Sequence, residues 1–240
     1  MQDNVTLIIK TLERPDVLAR LIKSIPGGYH VIVADDSFKP VVRDDVEYMV
    51  MPYDSGISAG RNLLISKVKT KYFVLLDDDF IFTPSTDVAL MESLIDGSVL
   101  DILGGIVIHH QVPLFYHGLF VNDGDVVSYA KGGVEHEDYT EVDFIPNFFI
   151  GRTDSFRDAK WDEKLKTTEH FDFFYSNQHL NIGYTDKVSI EHDHISNPCY
   201  KKLRSRKEEY LQYVLKKHGI RKLETYYDKI VLKQERATGE

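Results

Sequence analysis

Tyr72-Phe73-Val74-Leu75-Leu76-Asp77-Asp78-Asp79-Phe80-Ile81-Phe82 carries three consecutive carboxylates inside an otherwise apolar run. The flanking residues predict a buried extended strand with the acids at its end. Removing several like charges from water is costly unless a cation shares them. Oxygen donors suit hard divalent ions such as Mg²⁺ or Mn²⁺, which commonly join protein carboxylates to phosphates. The stretch therefore points to a metal–diphosphate site. The plainer alternative is a solvated acidic turn after a core strand.

Upstream, the elements alternate. Val5 to Lys10 reads as a buried strand, and Val17, Leu18, Leu21, Ile22 and Ile25 mark an amphipathic helix entered at Pro15 and stopped by Pro26-Gly27-Gly28. His30 to Ala34 is a second strand ending at Asp35-Asp36-Ser37, and Glu47 to Met51 a short third. Gly56 to Gly60 leads into a helix with Leu63, Leu64, Ile65 and Val68. Such alternation implies right-handed crossovers and a mostly parallel α/β sheet, in which ligands gather beyond the carboxyl ends of the strands. Thr11, Asp35, Asp36 and Asp77 to Asp79 all fall at those ends, and their convergence says more than any one of them.

Beyond residue 84 the pattern changes. Val88 to Leu100 is predicted helical, and Asp101 to Ile108 a strand broken by Gly104-Gly105. Residues 111–141 are read as a hairpin and a mobile acceptor-side loop. Val142 to Ile150 is a further strand, Thr168 to Leu180 a helix and Lys187 to Ile190 a last strand. Lys201 to His218 is a charged helix with an apolar seam. No repeat or linker divides the chain, so residues 1–199 are expected to form one catalytic domain and 200–240 a basic helical extension of it.

The 240 residues suffice for one full α/β core, and 42% hydrophobic with 28% charged residues fit a globular protein. No apolar stretch approaches the ~20 residues needed to span a bilayer, and the first residues lack a signal-peptide layout. Cys199 is the one cysteine, which rules out an intrachain disulfide and suits a reducing, cytoplasmic location. The net charge of −9 is uneven: residues 200–240 hold twelve Lys/Arg against six Asp/Glu. The acidic body argues against nucleic acid as a partner. The basic tail suits peripheral contact with an anionic surface, such as the inner membrane face, or else is a solvated helix face.

Individual residues carry competing readings. Asp77 and Asp79 suit a metal and its ligands. Asp35 and Asp36 suit hydrogen bonds to a ribose or base, or capping of a turn. Arg61 suits a diphosphate beside helix-start amides, or a surface ion pair. In His192-Asp193-His194, which follows a strand, His194 is favoured as a metal ligand and His192 as a core residue or a support to the site. Glu169, His170 and Asp172 form the remaining cluster, in which a carboxylate between Phe171 and Phe173-Phe174 is a candidate base with proton affinity raised by desolvation.

The ordered set Val5 to Thr11, Ala34-Asp35-Asp36-Ser37, Ala59-Gly60-Arg61-Asn62-Leu63 and Thr70 through Phe80 resembles a GT-A glycosyltransferase of the family-2 type, most closely the catalytic domain of the ganglioside-type β-1,4-N-acetylgalactosaminyltransferases. Asn147-Phe148-Phe149, Arg152-Thr153-Asp154, His170 to Phe174 and Asp193-His194 continue in that family's order. The resemblance covers residues 5–196. It implies inverting transfer of a sugar from a UDP-sugar donor to a glycan or glycolipid hydroxyl, assisted by Mn²⁺ or Mg²⁺. Thr11, Asp35, Asp36, Arg61, Asp77 and Asp78 would then serve the nucleotide, and Asp79, Asp77 and His194 the metal. Asn147, Phe148 and His170 would face the sugars, and Asp172 would be the base with Glu169 in reserve. The missing anchor and luminal cysteines suggest a bacterial chain, active on surface polysaccharide, or an excised domain. A sugar nucleotidyltransferase is disfavoured because Thr11-Leu12-Glu13-Arg14-Pro15 lacks the glycines of a phosphate loop. A non-catalytic glycan-binding module is the remaining alternative.

Overall fold

The computed structural model describes residues 3–193, 195 and 207–224. Strand β1 (Val5–Thr11) is buried along its whole length and lies between two parallel neighbours, β2 (His30–Asp35) and β4 (Tyr72–Asp77). Helix α1 (Pro15–Ser24) returns from β1 to β2, and α2 (Ile57–Lys67) from β3 (Glu47–Val50) to β4. Residues 36–46, which join β2 to β3, form no helix.

The alternation of these strands builds two apolar layers. Val5, Leu7, Ile9, Val31, Val33, Tyr72, Val74 and Leu76 face Leu18 and Leu21 of α1 and Met91 and Ile95 of α3 (Val88–Asp96). Ile8, Ile32, Ala34, Phe73 and Leu75 face the opposite layer, where Leu64 of α2 meets the aromatics of α4 (Glu169–Ser176). A period of two along each strand is what lets one sheet serve both layers.

After β4 the chain turns back in the two-residue β5 (Phe80–Ile81), then runs through α3 into β6 (Ile102–His109) and β7 (Val112–Leu114). A separate hairpin, β8 (Leu119–Asp123) with β9 (Val126–Ala130), turns at Gly124, whose φ of +59° suits glycine. Short β10 (Val134–Glu135) and β11 (Thr140–Glu141) extend the main sheet. Next, β12 (Phe149–Arg152) inserts antiparallel between β4 and β6, and β13 (Ile182–His192) runs parallel to β6. Helix α5 (Lys207–His218) leads to β14 (Lys222–Glu224), which pairs with β9. The large sheet therefore has the order β10-β11-β13-β6-β12-β4-β1-β2-β3, with β5 and β7 as side pairings. Among the described residues no helix is long and apolar enough to cross a membrane.

Five elements differ from expectation, the first being α3, which ends at Asp96 before Gly97 instead of reaching Leu100. The strand foreseen over Val142 to Ile150 begins only at Phe149, because Pro146 has no amide to donate to a ladder. The last strand is eleven residues long, since Asp186 and Lys187 sit in a register shift between Tyr184 and Ser189 that hides its apolar rhythm. Helix α4 stops at Ser176. Finally, Gly104-Gly105 does not break β6. A Cβ on Gly105 would lie 2.7 Å from the Phe148 ring and 2.8 Å from the Val188 carbonyl oxygen, so the glycine permits a close crossing of β13. Part of the helix expected from Lys201, and most of the basic extension, lie outside the described residues.

The crossing at Gly105 makes Gly105→Ala costly. The expected outcome is a loss of about 1–3 kcal/mol, read as a lower urea midpoint with an unchanged slope.

Candidate active site at the strand ends

Register fixes the site. Thr11 pairs with Asp35 across β1–β2, and Lys10 with Asp77 across β1–β4, so three strands deliver polar residues to the same edge. Two more segments close the edge. Main-chain pairing of β5 with β13 sets His192 against Phe80, and the Asp193 amide donates to the Asp79 carbonyl at 2.9 Å. The loop before α4 brings Lys166, and the first residue of α4 is Glu169. Together they enclose a cleft of about 250 Å³. Its acids are Asp36, Asp54, Asp77, Asp78, Asp79 and Glu169, its cations Lys10, Arg14 and Lys166, and Thr11, Asn147 and His192 complete its polar lining.

The acids are shared out among cations from distant parts of the chain. The Arg14 guanidinium pairs with Asp78 through two nitrogens, and its Nη1 donates to Asp79 at 2.9 Å. Thr11 Oγ1 donates to Asp78 at 2.7 Å. Lys10 pairs with Asp36, whose other oxygen accepts the Gly56 amide at 2.8 Å. Arg61, 1% exposed, lies 3.2 Å from both Asp77 and Glu169 and over the Trp161 ring. Asn147 donates to Asp77 at 3.2 Å, and His192 Nε2 lies 3.3 Å from Asp79.

These pairings divide the acids electrostatically. Burial raises Asp77 above the usual carboxylate range and pushes Asp78 up to about 7, against the pull of Arg14. Burial acts on Asp79 too, but hydrogen bonds from His192 and Arg14 and their charges outweigh it and hold it at about 2. Desolvation lowers Lys10 despite its partner Asp36, while in His192 the bond to Asp79 overcomes burial and raises it.

Oxygen donors of this kind suit Mg²⁺ or Mn²⁺. Among the described residues no three His, Cys, Asp or Glu side chains are grouped to hold a metal unaided. Asp77 and Asp79 alone would leave such an ion short of ligands, and a diphosphate would have to supply the rest. His194 lies outside the described residues.

Seven residues foreseen from sequence line the cleft: Thr11, Asp36, Asp77, Asp78, Asp79, Asn147 and Glu169. Others fall elsewhere. Asp35 is buried behind the cleft, accepting bonds from Ser37 and from the Tyr48 hydroxyl at 2.5 Å. Arg61 sits behind Asp77 as a bridge to Glu169 and is not part of the cleft wall. Phe148, 0% exposed, packs edge-on to Phe80 in the core and is closed to a sugar. His170 lies 2.6 Å from the Ile145 carbonyl through Nε2 and is wedged against Tyr116 and Phe174, and burial holds it neutral with a pKa of about 4. Asp172 is 2% exposed one turn further along α4, where Lys217 Nζ and His218 Nε2 of α5 reach it at 2.9 and 2.8 Å. The placement separates it from the cleft, and Glu169 is the α4 carboxylate that reaches it.

Sequence reasoning passed over Lys10, Arg14, Lys166 and Asp54, and gave His192 a lesser part. A signal existed for Lys10: a lone cation in a strand buried on both faces requires a buried anion. Nothing local marks Arg14 or Lys166, whose partners lie 64 and 112 residues away.

Comparison with known proteins identifies the family and the fold. Residues 6–160 match the family described as Glycosyl transferase family 2. Among curated relatives, the chain is 34% identical over 221 residues to mouse Beta-1,4 N-acetylgalactosaminyltransferase 2, covering 87% of this chain and 43% of that protein. It is 35% identical over 205 residues to human Beta-1,4 N-acetylgalactosaminyltransferase 1, covering 78% and 38% respectively. The chain thus spans about two fifths of the length of these relatives. Among solved structures, S. aureus TarS 1-349 superposes with a TM-score of 0.58 at 17% identity, covering 79% of this chain and 60% of that one. TarS 1-349 in complex with UDP-GlcNAc gives the same TM-score, covering 82% and 60%. The fold is therefore the GT-A arrangement these proteins share, and the chain belongs to glycosyltransferase family 2.

Proposed function

We propose that this chain is a metal-dependent, inverting glycosyltransferase that moves a sugar from a UDP-sugar to a hydroxyl of a glycan or glycolipid acceptor. The observation that carries the reading is the joint placement of Asp77–Asp79 and Glu169 on one cleft, linked through Arg61. The relatives named as N-acetylgalactosaminyltransferases favour GalNAc as the sugar, with other hexoses and N-acetylhexosamines as alternatives. Structures titled as complexes of TarS with UDP and UDP-GlcNAc support a uridine diphosphate donor.

In this reading Thr11 and Asp36 border the nucleotide, and Asp79 with Asp77 holds Mn²⁺ or Mg²⁺. When bound, the ion supplies Lewis-acid stabilisation of the charge that develops on the departing diphosphate. Glu169 takes the proton from the acceptor hydroxyl as its oxygen attacks the anomeric carbon, and UDP leaves from the opposite face. A base must reach that hydroxyl within hydrogen-bond distance, which favours Glu169 over Asp172. Arg61 orients Glu169 and Asp77 together. Asp172 instead fastens α4 to α5.

Two measurements test these assignments. UDP release from UDP-GalNAc in the presence of a glycan acceptor is expected to require added Mn²⁺ or Mg²⁺ and to fall by about 10²-fold or more in Asp79→Ala. Pyrophosphate release from UTP and a sugar 1-phosphate, with no UDP release from UDP-GalNAc, would indicate nucleotidyl transfer instead, and donor binding without turnover a binding module. Separately, Glu169→Gln is expected to lower kcat by about 10²–10⁴-fold. Asp172→Asn should keep near wild-type turnover while losing about 1–3 kcal/mol of stability. The reverse pattern would return the base to Asp172.

A further inference from the structure

The cleft cations are not equally committed. Lys10 and Arg14 side chains are each 6% exposed and are held by the buried carboxylates Asp36 and Asp78. Breaking such pairs strands a charge away from water. Lys166 differs. Its side chain and that of its partner Asp54 are each 27% exposed, and Nζ reaches Asp54 Oδ2 at 2.7 Å as well as the Asp54 carbonyl. A pair this open to water is worth little, about 0–1 kcal/mol, so Lys166 is the cleft cation that leaves its partner most cheaply.

Its surroundings suit an anion. Lys166 lies across the first turn of α2, where a Cβ on Gly56 would sit 2.8 Å from its Cγ. That helix has no side-chain cap at Gly56 and no acid in its first turn; at its start the Gly56 amide donates to Asp36, and a helix N-terminus favours negative charge nearby. Gly56 and Ile57 both line the cleft. Two hydroxyls beside these residues, Ser58 Oγ (residue 0% exposed) and Thr167 Oγ1 (residue 4% exposed), are buried with no hydrogen-bond partner among the described residues. Buried hydroxyls are ordinarily satisfied.

We propose that Lys166 is a swinging phosphate clamp: without donor it is parked on Asp54, and a nucleoside diphosphate draws it onto the diphosphate at the start of α2. The inference rests on the nucleotide-sugar reading of the cleft. Asp54 then acts as a placeholder that competes with the ligand for one cation. Its carboxylate neutralises Lys166 in the free protein and returns to water when the donor binds.

Titration calorimetry of the full chain with UDP and with uridine tests this. Lys166→Met is expected to weaken UDP by about ten- to a hundredfold, the range for a lost charge-assisted hydrogen bond, and to leave uridine unchanged. Lys166→Arg should restore most of the loss. Asp54→Asn, which keeps the residue's φ of +53° accessible, removes the competitor and should tighten UDP by about two- to fivefold without affecting uridine. Unchanged UDP affinity in Lys166→Met, or an equal loss for uridine, would overturn the clamp. Weaker UDP binding in Asp54→Asn would overturn the parked state, and this variant decides the matter alone if Lys166→Met does not fold. Wild-type protein that binds neither ligand would sink the nucleotide reading itself, and the clamp with it.

Discussion

Everything at the working end of this molecule depends on neutralising carboxylates that the parallel sheet forces together. Asp77, Asp78 and Asp79 terminate a strand whose body is core, so they cannot retreat into water as a surface turn would. Three cationic side chains, Arg14, Arg61 and Lys10, and the His192 imidazole converge on them and on Asp36 from separate parts of the chain. Coulomb attraction in such a poorly solvated place is strong, but so is the cost of reaching it. The arrangement is therefore weak evidence of stability and stronger evidence of purpose.

Legibility in the sequence followed the range of the interactions. Strands β1, β2 and β4 and helices α1 and α2 could be read because burial on both faces, or on one helical stripe, leaves a mark in consecutive residues. From their parallel order the strand-end acids followed directly. The distal half was harder for identifiable reasons. Pro146 shortened a strand, the register shift after Tyr184 masked a long one, and the paired glycines of β6 looked like a break when they are a contact with β13.

The same limit governed the site. Acids at strand ends are visible because topology alone places them. Which of Glu169 and Asp172 faces the cleft is decided by α5, forty-five residues onward, whose Lys217 claims Asp172. Sequence spacing within α4 holds no trace of that claim. Arg14 and Lys166 were silent for the same reason, since a cation's role is set by a partner that only folding supplies.

Lys10 has one more consequence. Strand β1 is apolar on both sides except at its carboxyl end, and a strand of that kind offers few cues to distinguish correct alignment from an offset by one residue. An offset would rotate the ammonium group away from Asp36 and into the layer beneath α1 and α3, with no anion to receive it. The buried charge thus acts as a molecular index mark that penalises mispaired alignments of β1 by the cost of an unpaired buried ammonium.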